Sequence, residues 1–583
     1  MKHLQDLHVL VLGLGASGLA MVRWCARHGA HVTVADTREV PPQLETLWHD
    51  VPDAIFVGGA FTAALVEGTP LRAVYRSPGL SPEVIAPVAD AARAIGLSLG
   101  GELDLFAQAL ADLRVAPEVP VRHAVEEAAE EPVAEPVPVE ASDVEQTDND
   151  VEDNVQAELE VVAALAEEAQ DDEETATAPS PVIVPPESPK GYMPAVLAIT
   201  GTNGKTTVTA LTGQLVARAG KTVAVAGNIG PTLLDTLAAH IDADTLPQVW
   251  VLELSSFQLD GVQGFEPTAA VALNVTQDHL DWHGDMVAYA AAKARVFGTR
   301  GLMILNRDDA AVMAMLPPPV RAKLQRPQVR AHATFGGTMP LRPGDYGIEQ
   351  INGMGWLVRA LEADETQKRK RGAAIEEEIF MQRLMPANAL RIRGQHNALN
   401  ALAALALATA AGCQLAPMLY GLREYRGEPH RVESIATVDE VEYFDDSKGT
   451  NVGATVAALN GLGAERKLVV ILGGEGKGQD FSSLAEPVRK FARAVVLIGR
   501  DASLIAEALA STNVPLIQAT SMLEAVQLAA RSARPSDAVL LSPACASFDM
   551  FRDYGHRAAA FCDAVQAVAD APDAPRETSE ESA

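Results

Sequence analysis

Between Leu113 and Lys190 the chain carries 22 acidic residues against 3 basic ones, many prolines and almost no aromatic side chains. Such a stretch cannot bury enough apolar surface to offset the entropy lost on ordering it. It is therefore expected to be disordered or loosely helical, and it divides the 583-residue sequence before any element is assigned. With 3 positive and 22 negative side chains it holds −19 of the formal net charge of −31, leaving −12 elsewhere. The rest is only mildly acidic and offers no basic surface for a nucleic-acid partner.

On either side of this break, apolar strand-like runs alternate with helical ones. "HVLVLGLG", "ASGLAMVRWCARHG" and "HVTVAD" read as strand, helix and strand. Order resumes at "AVLAIT" and continues through "TVAVAG", "QVWVLELS", "AAVALNVT" and "LMILN". A third alternation runs through "KLVVILGG", "AVVLIG" and "AVLLSPAC". Alternation of this kind predicts parallel sheets covered by helices, hence an α/β fold. The expected organisation is an N-terminal Rossmann-like domain at 1–112, the acidic insert at 113–190 and a central domain on a parallel or mixed sheet at 191–427. A C-terminal Rossmann-like domain follows at 428–570, then a disordered tail at 571–583. The charged stretch after Leu361, "EADETQKRKRGAAIEEEIF", reads as a second surface insertion.

Four scattered cysteines, Cys25, Cys413, Cys545 and Cys562, lack metal-binding spacing and fit a reducing compartment. The N-terminus lacks the unbroken apolar core of a signal peptide, and no apolar run is long enough to span a membrane. A cytoplasmic protein without membrane insertion is expected.

Gly13, Gly15 and Gly18 form G-x-G-x-x-G after a strand, and Asp36 ends the next strand. Together they make a dinucleotide fingerprint, in which glycines let the backbone approach a pyrophosphate at a helix N-terminus. The same glycines would also serve a plain tight turn, and Thr37-Arg38 after Asp36 allows a nucleotide other than NAD.

The stretch "AITGTNGKTTVTAL" places a glycine-rich loop between a strand and a helix. Its spacing is shorter than the usual G-x-x-x-x-G-K-[ST], because Ile199 stands where the first glycine belongs. Backbone amides from Gly201 to Gly204 would cradle phosphate oxygens, Lys205 would neutralise them, and Thr206 would ligate magnesium. Glu253 ends the strand-like "VWVLEL", and His279 follows the next strand. Either alone has a bland reading, as a helix cap or a structural histidine. Both beside a phosphate loop favour a magnesium site.

Taken together, "GTNGKTT", "GNIG", "ELSSFQL", "NVTQDHLDWHG", "YAAAKARVF", "GQHNALNALAA", "DDSKGTN", "GGEGKGQDF" and "SPACASFDMFRDYGHR" resemble the Mur ligases across all three ordered domains. The short loop is that family's G-x-x-G-K-[ST]. "DSKGTN" and "SPACASFD" resemble the member that adds D-glutamate, and the D-N-P-R motif of the diaminopimelate-adding sister is absent.

The resemblance implies an ATP-dependent amide ligase. It would join D-glutamate to UDP-N-acetylmuramoyl-L-alanine through an acyl phosphate, with two magnesium sites. It further implies that the first domain binds UDP, through Ser17, Asp36, Thr37, Arg38, Ser77 and Gly79, with Asn228 and His279 nearer the muramoyl end. For ATP it implies Gly201, Thr202, Asn203, Gly204, Lys205, Thr206, Thr207, Asn400, Arg431, Asp446 and Lys448. For D-glutamate it implies Thr450 and Lys477 at one carboxylate, and Ser547 and Tyr554 at the other. Lys205, Glu253, His279, Lys293 and Lys448 would carry the chemistry. Lys293, by default a solvated helical lysine, would become a carbamate and join Thr206, Glu253 and His279 as a metal ligand.

A monomer is expected. The acidic insert reads either as a contact for other cell-wall enzymes or, on composition, as a segment without chemistry. Two other classes compete. A nicotinamide oxidoreductase built on Gly13–Gly18 leaves the phosphate loop unused. A non-catalytic interaction protein leaves the whole ATP and amino-acid set unused.

Overall fold

The structure is a computed structural model that describes residues 2–97, 99–114, 191–320, 327–362, 379–464 and 466–571. The expectations for the acidic insert beyond Arg114, for the body of the insertion after Leu361 and for the C-terminal tail from residue 572 lie outside the described residues.

The first sheet is parallel, with strands β1 (His8–Leu12), β2 (His31–Asp36), β3 (Ile55–Gly58), β4 (Ala73–Arg76) and β5 (Leu99–Gly100) in the order 3-2-1-4-5. The order reverses between β1 and β4, which opens a crevice at the carboxyl ends of the strands. The turn after β1 lies at that crevice. A Cβ on Gly18 would come within 1.9 Å of the Gly13 carbonyl oxygen, so the fingerprint glycine is a steric necessity here.

The central sheet is also parallel. It contains β6 (Ala195–Thr200), β7 (Val223–Gly227), β8 (Val249–Glu253), β9 (Ala269–Ala272), β10 (Leu302–Asn306) and β11 (His332–Phe335), in the order 11-10-9-6-8-7. Successive residues of β6 serve opposite faces, as a pleated strand requires. Leu197 and Ile199 pack with the helices Lys205–Arg218 and Gln395–Ala410, and Val196 and Ala198 join the core on the other side.

A three-stranded antiparallel sheet is added to this domain by β12 (Tyr346–Ile351), β13 (Met354–Glu362) and β14 (Ile379–Pro386). The strand–helix alternation does not announce it, but Asn352-Gly353 does, being a hairpin dipeptide with φ of +51° and +80°. The insertion after Leu361 connects β13 to β14, since Glu362 pairs with Ile379.

The third domain has β15 (Glu433–Val438), β16 (Val441–Asp445), β17 (Leu468–Gly473), β18 (Ala492–Ile498), β19 (Leu516–Gln518) and β20 (Ala538–Leu541). Their order is 15-16-20-17-18-19, with only β15 and β16 antiparallel. All four cysteines are free. Among the described residues no helix is long and apolar enough to cross a membrane.

Glu102 begins the helix Glu102–Arg114 and is only 3% exposed. Its carboxylate accepts the Leu234 amide at 3.1 Å, at the start of the helix Leu233–Asp242. One side chain of the first domain thus holds the start of a helix of the second.

Candidate active site

The phosphate loop is held by its neighbours. The Thr202 amide donates to the Asn274 carbonyl at 2.9 Å, and its hydroxyl meets Tyr289 Oη at 3.1 Å. The Asn203 amide donates to Asn274 Oδ1 at 2.8 Å. Gly204 has φ of +85°, and a Cβ there would lie 2.8 Å from Asn400 Oδ1. Both conditions demand glycine. Lys205 opens the following helix and folds back, its Nζ donating to the carbonyls of Gly201 and Thr202 at 2.9 Å each. These carbonyls occupy an ammonium group that phosphate oxygens would attract away.

Glu253 ends β8 next to this loop and is 1% exposed. Its Oε1 accepts Asn228 Nδ2 at 3.1 Å, and its Oε2 has no hydrogen-bond partner. A buried carboxylate oxygen left without a donor is costly. A hard divalent cation would satisfy it, and the Thr206 hydroxyl, also buried, lines the same space. Arg431 Nη2 donates to that hydroxyl at 3.2 Å. The residues therefore fit a magnesium ion.

His279 heads a short helix with φ of +54°. Burial lowers its pKa and Asp278 opposes the shift, while Lys205 and Lys293 add to it. A neutral imidazole is the form that ligates metal.

Lys293 lies beneath the loop. It is 1% exposed, donates to the Gly201 carbonyl at 2.9 Å and sits 4.4 Å from the Tyr289 ring centroid. Burial, reinforced by Lys205, holds its pKa well below the ordinary lysine range. The solvated reading of this lysine is excluded by its position.

Apart from Lys293, which lies behind the loop and does not line the cleft, these groups face a cleft of about 500 Å³ between the central and C-terminal domains. Lys205, Thr206, Asn228, Glu253 and His279 line it from one side; Arg431, Lys448, Thr450, Lys477 and Tyr554 line it from the other. Burial lowers the pKa of Lys205 and of Lys448, with Arg431 contributing to both shifts. A cation-rich cleft of this kind is suited to a polyanion.

Asn400, Asp446 and Thr207 line an adjoining pocket of about 60 Å³, which shares Asn203 and Arg431 with the cleft. Burial pushes the Asp446 carboxyl up to about 7, and Ser542 donates to it at 2.7 Å. Ser547 is buried and lines neither space. The first-domain set lies apart, at the crevice. There Ser77 Oγ donates to the Gly13 carbonyl at 2.8 Å. Burial would raise the Asp36 carboxyl, but hydrogen bonds from Arg38 and the Leu14 amide hold it at about 2. Thr37 and Arg38 are exposed, and a Cβ on Gly79 would meet nothing within 4 Å.

Three models of one family cover most of the chain: "Mur ligase MurD-like, N-terminal domain" over 7–100, "Mur ligase middle domain" over 199–408, and "Mur ligase, glutamate ligase domain" over 430–545. This chain belongs to the Mur ligase family. Curated relatives extend the match to nearly full length. A UDP-N-acetylmuramoylalanine--D-glutamate ligase from a Polaromonas species is 66% identical, the match covering 98% of this chain and 99% of that one. Proteins of the same name are 61% identical in Albidiferax ferrireducens, over 98% of each chain, and 51% identical in Burkholderia mallei, over 96% of this chain and 97% of that one. Among solved structures, a UDP-N-acetylmuramate-alanine ligase from Thermotoga maritima matches at 17% identity with a TM-score of 0.46, covering 97% of this chain and 100% of that one. Mur ligases use ATP, so the short phosphate loop belongs to an ATP-dependent ligase.

Several residues at this Mur ligase site escape a reading of the sequence. Asp278 lines the cleft beside His279, and in sequence it is only an acid next to a histidine. Arg557 is 1% exposed and donates to Ser447 Oγ, the Ser447 carbonyl and the Cys545 carbonyl at 2.7–3.0 Å. It ties the "DSKGTN" loop to the "SPACAS" loop from 110 residues away. Nothing local marks it.

Proposed function

We propose that this Mur ligase joins D-glutamate to UDP-N-acetylmuramoyl-L-alanine in peptidoglycan precursor synthesis, cleaving ATP to ADP and phosphate. One observation carries the reading: a single cleft is lined by the phosphate loop of the central domain and by Thr450, Lys477 and Tyr554 of the C-terminal domain. The near full-length relatives bearing that name support it.

The alanyl carboxylate attacks the γ-phosphorus and ADP leaves. The amine of D-glutamate then attacks the acyl carbon, loses a proton, and phosphate departs. Gly201 to Thr207 hold the triphosphate, with Lys205 turning from its own loop carbonyls to the phosphates. Asn400 and Asp446 take the nucleoside side, Arg431 lies at the phosphate end beside Thr206, and Lys448 stabilises the acyl phosphate. Thr206, Glu253, His279 and Lys293 would hold two magnesium ions, which when bound supply Lewis-acid stabilisation of phosphoryl charge. Ser17, Asp36, Thr37, Arg38, Ser77 and Gly79 bind the UDP end, and Asn228 and His279 the muramoyl end. Thr450, Lys477 and Tyr554, which line the cleft, orient D-glutamate.

Lys293 serves as a carbamate. A neutral amine adds carbon dioxide and releases a proton, and burial supplies that neutral amine. The test is phosphate release that requires both substrates, followed by Lys293→Ala and Lys448→Ala. Acetate should restore part of the activity of the first variant and none of the second. Turnover without D-glutamate dependence would reject the ligase reading. Rescue of Lys293→Ala by small amines alone would reject the carbamate.

A further inference from the structure

Asn451 follows Thr450 where the C-terminal domain meets the phosphate loop, and its side chain has two tasks. Its Oδ1 accepts the Ala454 amide at 2.9 Å and caps the helix Val452–Gly463. The same side-chain amide faces that of Asn203. Asn451 Nδ2 donates to Asn203 Oδ1 at 3.1 Å, and Asn203 Nδ2 donates to Asn451 Oδ1 at 3.3 Å. Asn451 Nδ2 also reaches Asp278 Oδ2 at 3.4 Å.

Capping requires only an oxygen, and serine or aspartate would supply it equally well. A reciprocal pair requires a donor and an acceptor on each partner, which only amides combine in this geometry. The second task therefore accounts for the residue type.

Gly453 adds an independent observation. It is the second residue of the helix, in the first turn after the cap. A Cβ there would lie 2.9 Å from Thr276 Oγ1 and 3.2 Å from Asn203 Nδ2. The missing side chain lets the helix start close on the phosphate loop.

We propose that Asn451 is a positioning residue that couples nucleotide binding at the phosphate loop to D-glutamate binding at Thr450. The inference rests on the assignment of the loop to ATP and of Thr450 to D-glutamate given above. Asn203 lies between Gly201 and Lys205, so ordering of the loop around phosphates fixes the face that Asn451 docks on. Docking then fixes Thr450, its neighbour in sequence. Because coupling free energy is reciprocal, each ligand tightens the other.

The test uses the full-length protein with UDP-N-acetylmuramoyl-L-alanine and a non-hydrolysable ATP analogue, titrated with and without D-glutamate. In the native protein, D-glutamate should tighten analogue binding. Asn451→Ser keeps the cap, introduces no charge beside Asp278, and should melt within about 2 °C of the native protein, since the lost bonds are few. It should nevertheless lose the coupling: D-glutamate no longer tightens the analogue, the analogue no longer tightens D-glutamate, and both losses are of the same size, about tenfold. Gly453→Ala should weaken the coupling in the same direction without lowering the melting temperature. Native coupling in Asn451→Ser or in Gly453→Ala would overturn the proposal. So would a defect confined to Asn451→Ala, which would leave a cap and nothing more. Absence of any D-glutamate effect in the native protein would instead reject the ligand assignments of the cleft.

Discussion

Where the first domain meets the second, apolar side chains from both belong to one core. Trp24, Phe106 and Leu110 share it with Leu234, Leu237 and Trp250, and the rings of Phe106 and Trp250 meet edge to face at 5.1 Å. Polar bonds are added around it: Glu102 to the Leu234 amide, Asp104 to the Gln263 amide at 2.7 Å, and Arg76 to Asp260 at 2.7 Å. Where the second domain meets the third, no core crosses among the described residues. The cluster of the central domain stops at Tyr425, and those of the C-terminal domain begin at Val432. The join is made of Asn203 with Asn451, Arg431 with Thr206, and close glycine contacts. Apolar burial locks surfaces together, whereas a few exposed or amide hydrogen bonds exchange readily with water. The difference separates the two tasks of the molecule. On the proposed function, the first seam would fix the crevice relative to the phosphate loop, and the second would let the residues of the two domains assemble around substrates.

The largest effect expected from this contrast is in the shared core. Phe106→Ala should cost about 3–5 kcal/mol. Calorimetry should show the first and second domains losing stability in one transition, with the third keeping its own. Separate melting of the first two domains would break the contrast.

A pH effect comes next, at the second seam. His396 packs against Gly394 and Gly461, and burial holds its pKa down to about 4. The unfolded histidine titrates near its ordinary value of about 6.5, so the unfolded or opened state binds the proton first. The contribution of neutral His396 is complete above about pH 6.5. It falls as the pH drops through that value and levels off below about 4, with a loss of about 3 kcal/mol. Melting of the third domain between pH 7 and 4 should show this slope, and His396→Gln should flatten it. An identical slope in the variant would assign the effect elsewhere.

The smallest effect is at the rim of the first seam. Arg27 pairs with Asp242 at 2.5 Å, but both are substantially exposed. Water and salt screen such a pair, so Arg27→Ala should barely move the melting temperature and leave turnover unchanged. A clear drop in melting temperature would show that the rim, and not the core, holds this seam.

Which parts were legible in the sequence follows from the range over which each signal acts. The loop from Gly201 to Thr207 could be read because strand, glycines, lysine and helix are contiguous. Glu253 and His279 could be read as acids and bases after strands of one sheet. Burial of Lys293 could not, because its helix shows only a lysine and the lid over it comes from Gly201, 92 residues earlier. Asn451 and Asn203 are 248 residues apart, and neither carries a local mark of the other. The seams were invisible for a related reason. The helix Ala16–Arg27 buries Gly18 through Val22 as well as Trp24 and Cys25, on more than one face, but an apolar run does not say which domain covers it. The antiparallel sheet was missed although Asn352-Gly353 marks its turn.

The most direct test of the two-seam contrast is a pair of distance distributions from nitroxide labels on the full-length protein. One pair of labels joins the first and second domains, the other the second and third. Each is measured in the free protein and with the ATP analogue, UDP-N-acetylmuramoyl-L-alanine and D-glutamate. The first distance should stay fixed and narrow, while the second shifts and sharpens when all three ligands are present. A first distance that moves with ligand, or a second that does not, would contradict the division of the molecule into one fixed body and one docking domain.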